Sequence, residues 1–188
     1  ISPMGVVIYN ERESGEKLRF INKDTGLPST VVKKTIIDTK GNVWISTSEG
    51  VARYGPDNKL AVYNRDSGFV SDEIYDLFED SKGRIWISTV ADGLIRLEPG
   101  GVYTRFTKEN GLLGEMVFSV YEDKRGRFWI STAAGVFMMD AGDGIYPLTY
   151  KDGLPYLYVY NAFPVGNELW FTSVKGVART NPEDAADV

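Results

Sequence analysis

One ten-residue phrase is written three times in this chain and a fourth time in worn form. Asp-Thr-Lys-Gly-Asn-Val-Trp-Ile-Ser-Thr occupies 38–47, Asp-Ser-Lys-Gly-Arg-Ile-Trp-Ile-Ser-Thr 80–89, and Asp-Lys-Arg-Gly-Arg-Phe-Trp-Ile-Ser-Thr 123–132. The fourth copy, Pro-Val-Gly-Asn-Glu-Leu-Trp-Phe-Thr-Ser, occupies 164–173. The tryptophans Trp44, Trp86, Trp129 and Trp170 stand 42, 43 and 41 residues apart. A repeat of about 40 to 45 residues holding several short strands is the mark of propeller blades, each burying its faces only by stacking on its neighbours.

A second phrase keeps the same step. The loop glycines Gly26, Gly68, Gly111 and Gly153 are 42, 43 and 42 apart, so a whole unit repeats and not one motif. After each loop comes a run rich in β-branched and aromatic residues, at 31–37, 74–78, 116–121 and 157–163, which reads as the first strand of a blade. An Asp-x-x-Gly turn follows, then the Trp segment as second strand, then a third strand opening on Gly50, Gly93, Gly135 or Gly176. Half-polar segments at 60–64, 102–106 and 145–150 read as outer strands. A polar turn is expected at 10–16. No segment carries a 3.6-residue period, so the expected fold is all-β with essentially no helix.

The chain therefore reads as a single β-propeller segment, 1–188, of four-stranded blades about 42 residues long. Residues 1–29 end one blade, 30–71, 72–114 and 115–155 are one blade each, and 156–188 are an incomplete blade. The strand count leaves two arrangements open. A strand at 17–22 could complete the last blade and close a four-bladed ring; otherwise the chain is a partial slice, about four blades, of a larger ring. The slice is the expected arrangement, because the strand at 5–9 is well formed and would be left over by closure. An opening at Ile1 and no signal peptide suggest an excerpt from a longer precursor.

Composition narrows the chemistry. The 188 residues contain no cysteine and no histidine, which removes thiol chemistry, disulfides, the commonest general base and the commonest zinc ligand. A net charge of −5, with Lys and Arg scattered through the turns, offers no attraction to nucleic acid. No apolar run approaches the roughly 18 residues that span a bilayer, so no direct membrane insertion is expected. No metal-ligand cluster, phosphate loop or nucleophile elbow is present, and neither cofactor nor metal is expected.

Taken together, the loop Asn-Lys-Asp-Thr-Gly-Leu-Pro-Ser, the strand after it, the Asp-Thr-Lys-Gly-Asn-Val-Trp-Ile-Ser-Thr phrase and Gly-Val-Ala-Arg-Tyr resemble the two-component regulator propeller repeat over about 5–179. The fourth copy departs, with Pro164 in place of the turn Asp and Asn167 in place of the turn Gly. The resemblance implies the periplasmic sensor domain of a hybrid two-component system histidine kinase, an oligosaccharide ligand, and a kinase outside this chain. The chain itself is then no enzyme. It would meet other blades or the propeller of its parent, and could self-associate through open blade edges. Two further readings stay open: a protein-interaction propeller without a small ligand, and a propeller polysaccharide lyase or hydrolase using Tyr, Lys or acid groups.

Within this scheme Asp38, Asp80 and Asp123 read as turn residues whose carboxylates accept backbone N–H groups, and the tryptophans read as core. One carboxylate per blade cannot supply the six to eight oxygens that calcium takes. Candidate ligand contacts lie instead in the loops that differ between blades and share one face. Glu49, Asp72, Glu73, Asp92, Tyr156, Tyr158 and Lys175 offer there the carboxylates, amine and aromatic rings that hold sugar hydroxyls and C–H faces.

Overall fold

The computed structural model describes residues 5–9, 18–69, 71–148, 150, 154 and 156–181. The turn expected at 10–16, and the loop at 151–155 with Gly153 (Leu154 apart), lie outside the described residues. Seventeen strands are described. β1 (Val6–Tyr9) pairs with β2 (Leu18–Ile21). β3 (Val32–Ile37), β4 (Val43–Thr47), β5 (Gly50–Tyr54) and β6 (Leu60–Tyr63) form a four-stranded sheet. So do β7 (Ile74–Glu79), β8 (Ile85–Thr89), β9 (Leu94–Leu97) and β10 (Tyr103–Phe106). β11 (Val117–Glu122), β12 (Phe128–Thr132), β13 (Gly135–Met139) and β14 (Ile145–Leu148) form another. β15 (Val159–Val165), β16 (Glu168–Ser173) and β17 (Gly176–Thr180) make a three-stranded sheet.

Each sheet takes its strands in chain order, as a propeller blade does. β2 has β1 as its partner, and β17 is an outer strand of its own sheet. Among the described residues β2 is not a strand of the last sheet, and the fold is a partial propeller. No α-helix occurs among the described residues, but three single-turn 3-10 helices do, at Lys23–Thr25, Arg65–Ser67 and Lys108–Asn110. Each is built from the loop that sequence alone reads as irregular. Asn22, Asn64 and Thr107 cap them with their side chains, and Gly26, Gly68 and Gly111 end them at φ 97°, 84° and 95°.

The chain divides into two compact units, Ile1–Ile74 and Tyr75–Val188. In the first, Ile21, Leu27, Ile45 and Ala52 are buried together, with Val6, Ile8, Val32 and Leu60 packed on them. In the second, one core gathers Trp86, Leu94, Phe106, Val117, Phe128 and Phe137 from the sheets β7–β10 and β11–β14. A second core joins Trp129, Val136 and Leu148 to Val159, Ala162 and Phe171 of the last sheet. Cross-sheet polar ties accompany them: Arg96 reaches Asp143 through both terminal nitrogens, 2.5 and 3.0 Å away, and Ser81 donates twice to Glu122 at 2.7 Å. No helix among the described residues is long and apolar enough to cross a membrane.

Candidate functional site

The repeated phrase is a scaffold, and its geometry shows how. In each close copy one carboxylate oxygen of the Asp accepts two backbone N–H groups across the turn: from Lys40 and Asn42 to Asp38, from Lys82 and Arg84 to Asp80, and from Arg125 and Arg127 to Asp123. The other oxygen takes the indole N–H of the same copy, Trp44, Trp86 or Trp129, at 2.8, 2.8 and 3.1 Å. Arg84 and Arg127 add side-chain ion pairs at 2.6 and 2.8 Å. Burial pushes the three carboxyls up, but these hydrogen bonds outweigh it and hold all three below the usual carboxylate range. Gly41, Gly83 and Gly126 supply the left-handed turn residue at φ 80°, 72° and 74°.

The last residue of the phrase fixes the next loop. Thr47, Thr89, Thr132 and Ser173 donate their hydroxyls to the carbonyls of Gly50, Gly93, Gly135 and Gly176. The same oxygens accept the backbone N–H of Glu49, Asp92, Ala134 and Lys175. The loops holding three of the sequence candidates are therefore braced by the scaffold they leave. Glu49 is exposed and stands 3.9 Å from Lys23 Nζ. Asp72 accepts the Arg65 backbone N–H at 2.7 Å and pairs with its guanidinium at 3.4 Å, and Glu73 is exposed. These three lie in the first unit.

In the second unit, Asp92 engages Arg105 through its carboxylate at 3.2 Å and through its carbonyl at 2.7 Å. Lys175 and Tyr156 are brought together, the ammonium 5.0 Å from the ring centroid. Tyr158 joins a cluster absent from the sequence candidates. Phe118 of β11, 3% exposed, is ringed by Tyr75 of β7 at 5.2 Å, Tyr158 at 5.0 Å and Tyr160 of β15 at 5.2 Å. Those three tyrosines remain 43%, 38% and 39% exposed. The Tyr158 hydroxyl also meets Met116 Sδ at 3.7 Å.

The cluster accompanies an irregularity in the first strand of three of the sheets. Pairing shifts register between Val32 and Lys34, between Val117 and Ser119, and between Val159 and Asn161. The inserted residues are Lys33, Phe118 and Tyr160, and Tyr75 holds the same place in the repeat. Such a bulge bends the strand and re-aims its side chains. The sequence carries a signal for it: the residue before each is Val32, Ile74, Val117 or Val159, always β-branched, whereas the bulge residue itself changes chemistry from blade to blade. Next along the strand stand Asp76, Ser119 and Asn161, all polar, and the buried Ser119 hydroxyl has no hydrogen-bond partner.

A hollow of about 200 Å³ lies elsewhere in the second unit, lined by Tyr121, Lys124, Arg125, Pro164, Asn167 and Glu168 among others. Among the described residues no group of three or more acids could hold a metal ion.

Comparison with known proteins agrees with the repeat. The two-component regulator propeller family matches residues 68–91 and 111–134. No curated protein matches the sequence. Among solved structures, the extracellular domains of two hybrid two-component systems from B. thetaiotaomicron superpose with TM-scores of 0.79 and 0.76, at 23% and 19% identity. Each alignment covers 97% of this chain but 28% of the other, so the chain spans little more than a quarter of those domains. Virginiamycin B lyase from Staphylococcus aureus shares the fold at a TM-score of 0.65 and 13% identity, over 95% of this chain and 63% of the lyase. Identities this low show the fold alone.

Proposed function

We propose that this chain, which carries two-component regulator propeller repeats, is a segment of the extracytoplasmic, periplasmic sensor of a bacterial two-component signalling protein. Its ligand is an oligosaccharide, and its output is a change in packing relayed to a kinase outside the chain. The observation that supports this best is the likeness over 97% of the chain to extracellular domains of hybrid two-component systems. Loops braced at one end of the blades, and aromatic rings left open on their first strands, supply the surface such a ligand needs. Calorimetric and glycan-array screening of the purified chain tests the reading, with saturable binding of an oligosaccharide expected. Turnover of a polysaccharide would replace it with a lyase or hydrolase.

One observation favours a second reading, assembly through an open edge. The third strands β5, β9 and β13 are largely buried, whereas β17 is mostly exposed, with Val177 58% open. An exposed edge strand is a template for another strand, from the parent's next blade or from a second copy. Size-exclusion chromatography at micromolar concentration distinguishes the two. Self-association without any glycan binding would favour assembly, and a clean monomer would remove pairing with a second copy.

A further inference from the structure

We infer that the rings of Tyr75, Phe118, Tyr158 and Tyr160 form the stacking site for one uncharged pyranose ring of the ligand. This rests on the oligosaccharide reading above and adds where on the chain the sugar sits and which sugars are refused. Aromatic side chains assembled only for stability are driven to bury their faces. Here Phe118 is covered, but the three tyrosines that cover it stay more than a third open. Their planes meet at 72°, 50°, 64° and 82°, so none of these pairs stacks parallel. A tyrosine ring left partly open in this way can take the C–H face of a sugar ring. Hydroxyls at the ring edge then need hydrogen-bonding groups within reach.

Polar residues stand next to the rings in sequence on the same three strands. Asp76, Ser119 and Asn161 each follow the aromatic residue directly, and the tyrosine hydroxyls add donors and acceptors of their own.

Charge sets the selectivity. β7, β11 and β15 contain no Lys and no Arg; their only ionisable charges are acidic, at Asp76, Glu79 and Glu122. A sulfate or uronate placed against these strands would lose water and gain no counter-charge from them, so anionic glycans are disfavoured there. The contrast within the chain is β3, where Lys33 and Lys34 stand at the equivalent positions. A neutral sugar with a continuous C–H face is the ligand class that fits the second unit.

The test is calorimetry of the 188-residue chain against neutral oligosaccharides and sulfated or uronate-containing ones of matched length. The variants are Tyr75→Ala, Tyr160→Ala, Tyr160→Phe and Lys175→Gln. Binding of a neutral oligosaccharide is expected, weakened about tenfold or more by either alanine and within about twofold of wild type in Tyr160→Phe. Lys175→Gln, on the neighbouring loop, is expected to weaken binding less than either alanine does. If an alanine variant melts early, saturation-transfer NMR on the wild type takes its place. Saturation passing from the aromatic protons to one C–H face of the sugar supports the site, and its absence counts against it. Affinity kept in both alanine variants and lost in Lys175→Gln would overturn the site while leaving the oligosaccharide reading standing. Preference for sulfated or uronate ligands would overturn the selectivity. Binding of no oligosaccharide at all would remove the oligosaccharide reading and this site with it.

Discussion

The sheets β7–β10 and β11–β14 and the sheet β15–β17 descend from one repeat, yet they hold their tryptophans differently. Trp86 and Trp129 are wholly buried, each giving its indole N–H to the turn aspartate. Trp170 is only half-buried, which corrects the expectation that all four tryptophans are core. Its turn has Pro164 where the aspartate would be, and its indole donates to Glu168 at 3.2 Å instead. Glu168 stands where Arg84 and Arg127 stand in the other copies, and Arg179 of β17 pairs with it at 3.0 Å. The difference teaches what the aspartate is for. It satisfies the indole N–H from inside the sheet, so the ring can be buried without leaving a donor unpaired. Where the aspartate is gone, and no sheet follows β15–β17 among the described residues to cover the ring as β11–β14 covers Trp86, the ring stays near solvent and finds a surface carboxylate.

The largest expected effect sharpens that contrast. Trp86→Ala or Trp129→Ala should lose roughly 3 to 5 kcal/mol, as truncation of a fully buried large side chain does. Trp170→Ala should lose only about 1 to 2 kcal/mol, in line with its smaller buried area. Urea unfolding of the three variants measures both, and equal losses would break the comparison. Next in size, Asp80→Ala strands the buried indole N–H and the Arg84 guanidinium, and should lose about 2 to 3 kcal/mol. Glu168→Ala, at an exposed pair, should lose under about 1 kcal/mol. Chemical denaturation separates them.

The acid limb gives a smaller and graded effect. Asp38, Asp80 and Asp123 titrate below the ordinary carboxylate value when folded, so the folded state binds fewer protons than the unfolded state in that range. Their contribution is complete above the unfolded value of about 3.9 and is lost as pH falls through the lower folded values. The melting temperature should therefore drop below about pH 4, and Asp80→Asn should flatten that drop. A profile unchanged by the substitution would detach the aspartate from the lock. The smallest effect is spectroscopic. Trp170→Phe should shift the summed tryptophan emission to the blue, because it removes the ring nearest water, whereas Trp129→Phe should shift it to the red.

The blade was legible because its determinants are local. The Asp, Gly and Trp of each turn lie within seven residues, close enough for the carboxylate to reach backbone N–H groups as the chain reverses. The capped 3-10 turns were less legible: Asn22 with Thr25, and Asn64 with Ser67, form capping boxes that their spacing permits but does not require. Among the sequence candidates, Tyr156, Tyr158 and Lys175 were chosen for their chemistry on loops that vary between blades, and the structure sets Tyr158 beside Phe118 and Lys175 over Tyr156. Tyr75, Phe118 and Tyr160 were passed over because a residue inside an apolar strand reads as core. The one-residue insertion that turns Phe118 and Tyr160 aside is a property of cross-strand pairing, not of either strand alone.

By itself, then, the order of residues determined the repeat length, the strands and their turns, and the role of the Asp-x-x-Gly-x-x-Trp phrase as scaffold. Each of these is settled by contacts within one unit of about 42 residues. Only the tertiary structure decided that β2 stays with β1, that Trp170 lies half-exposed, and that rings from two other blades converge on Phe118. Those rings stand 40 or more residues from Phe118 and meet it only when sheet stacks on sheet, and no local pattern encodes that meeting.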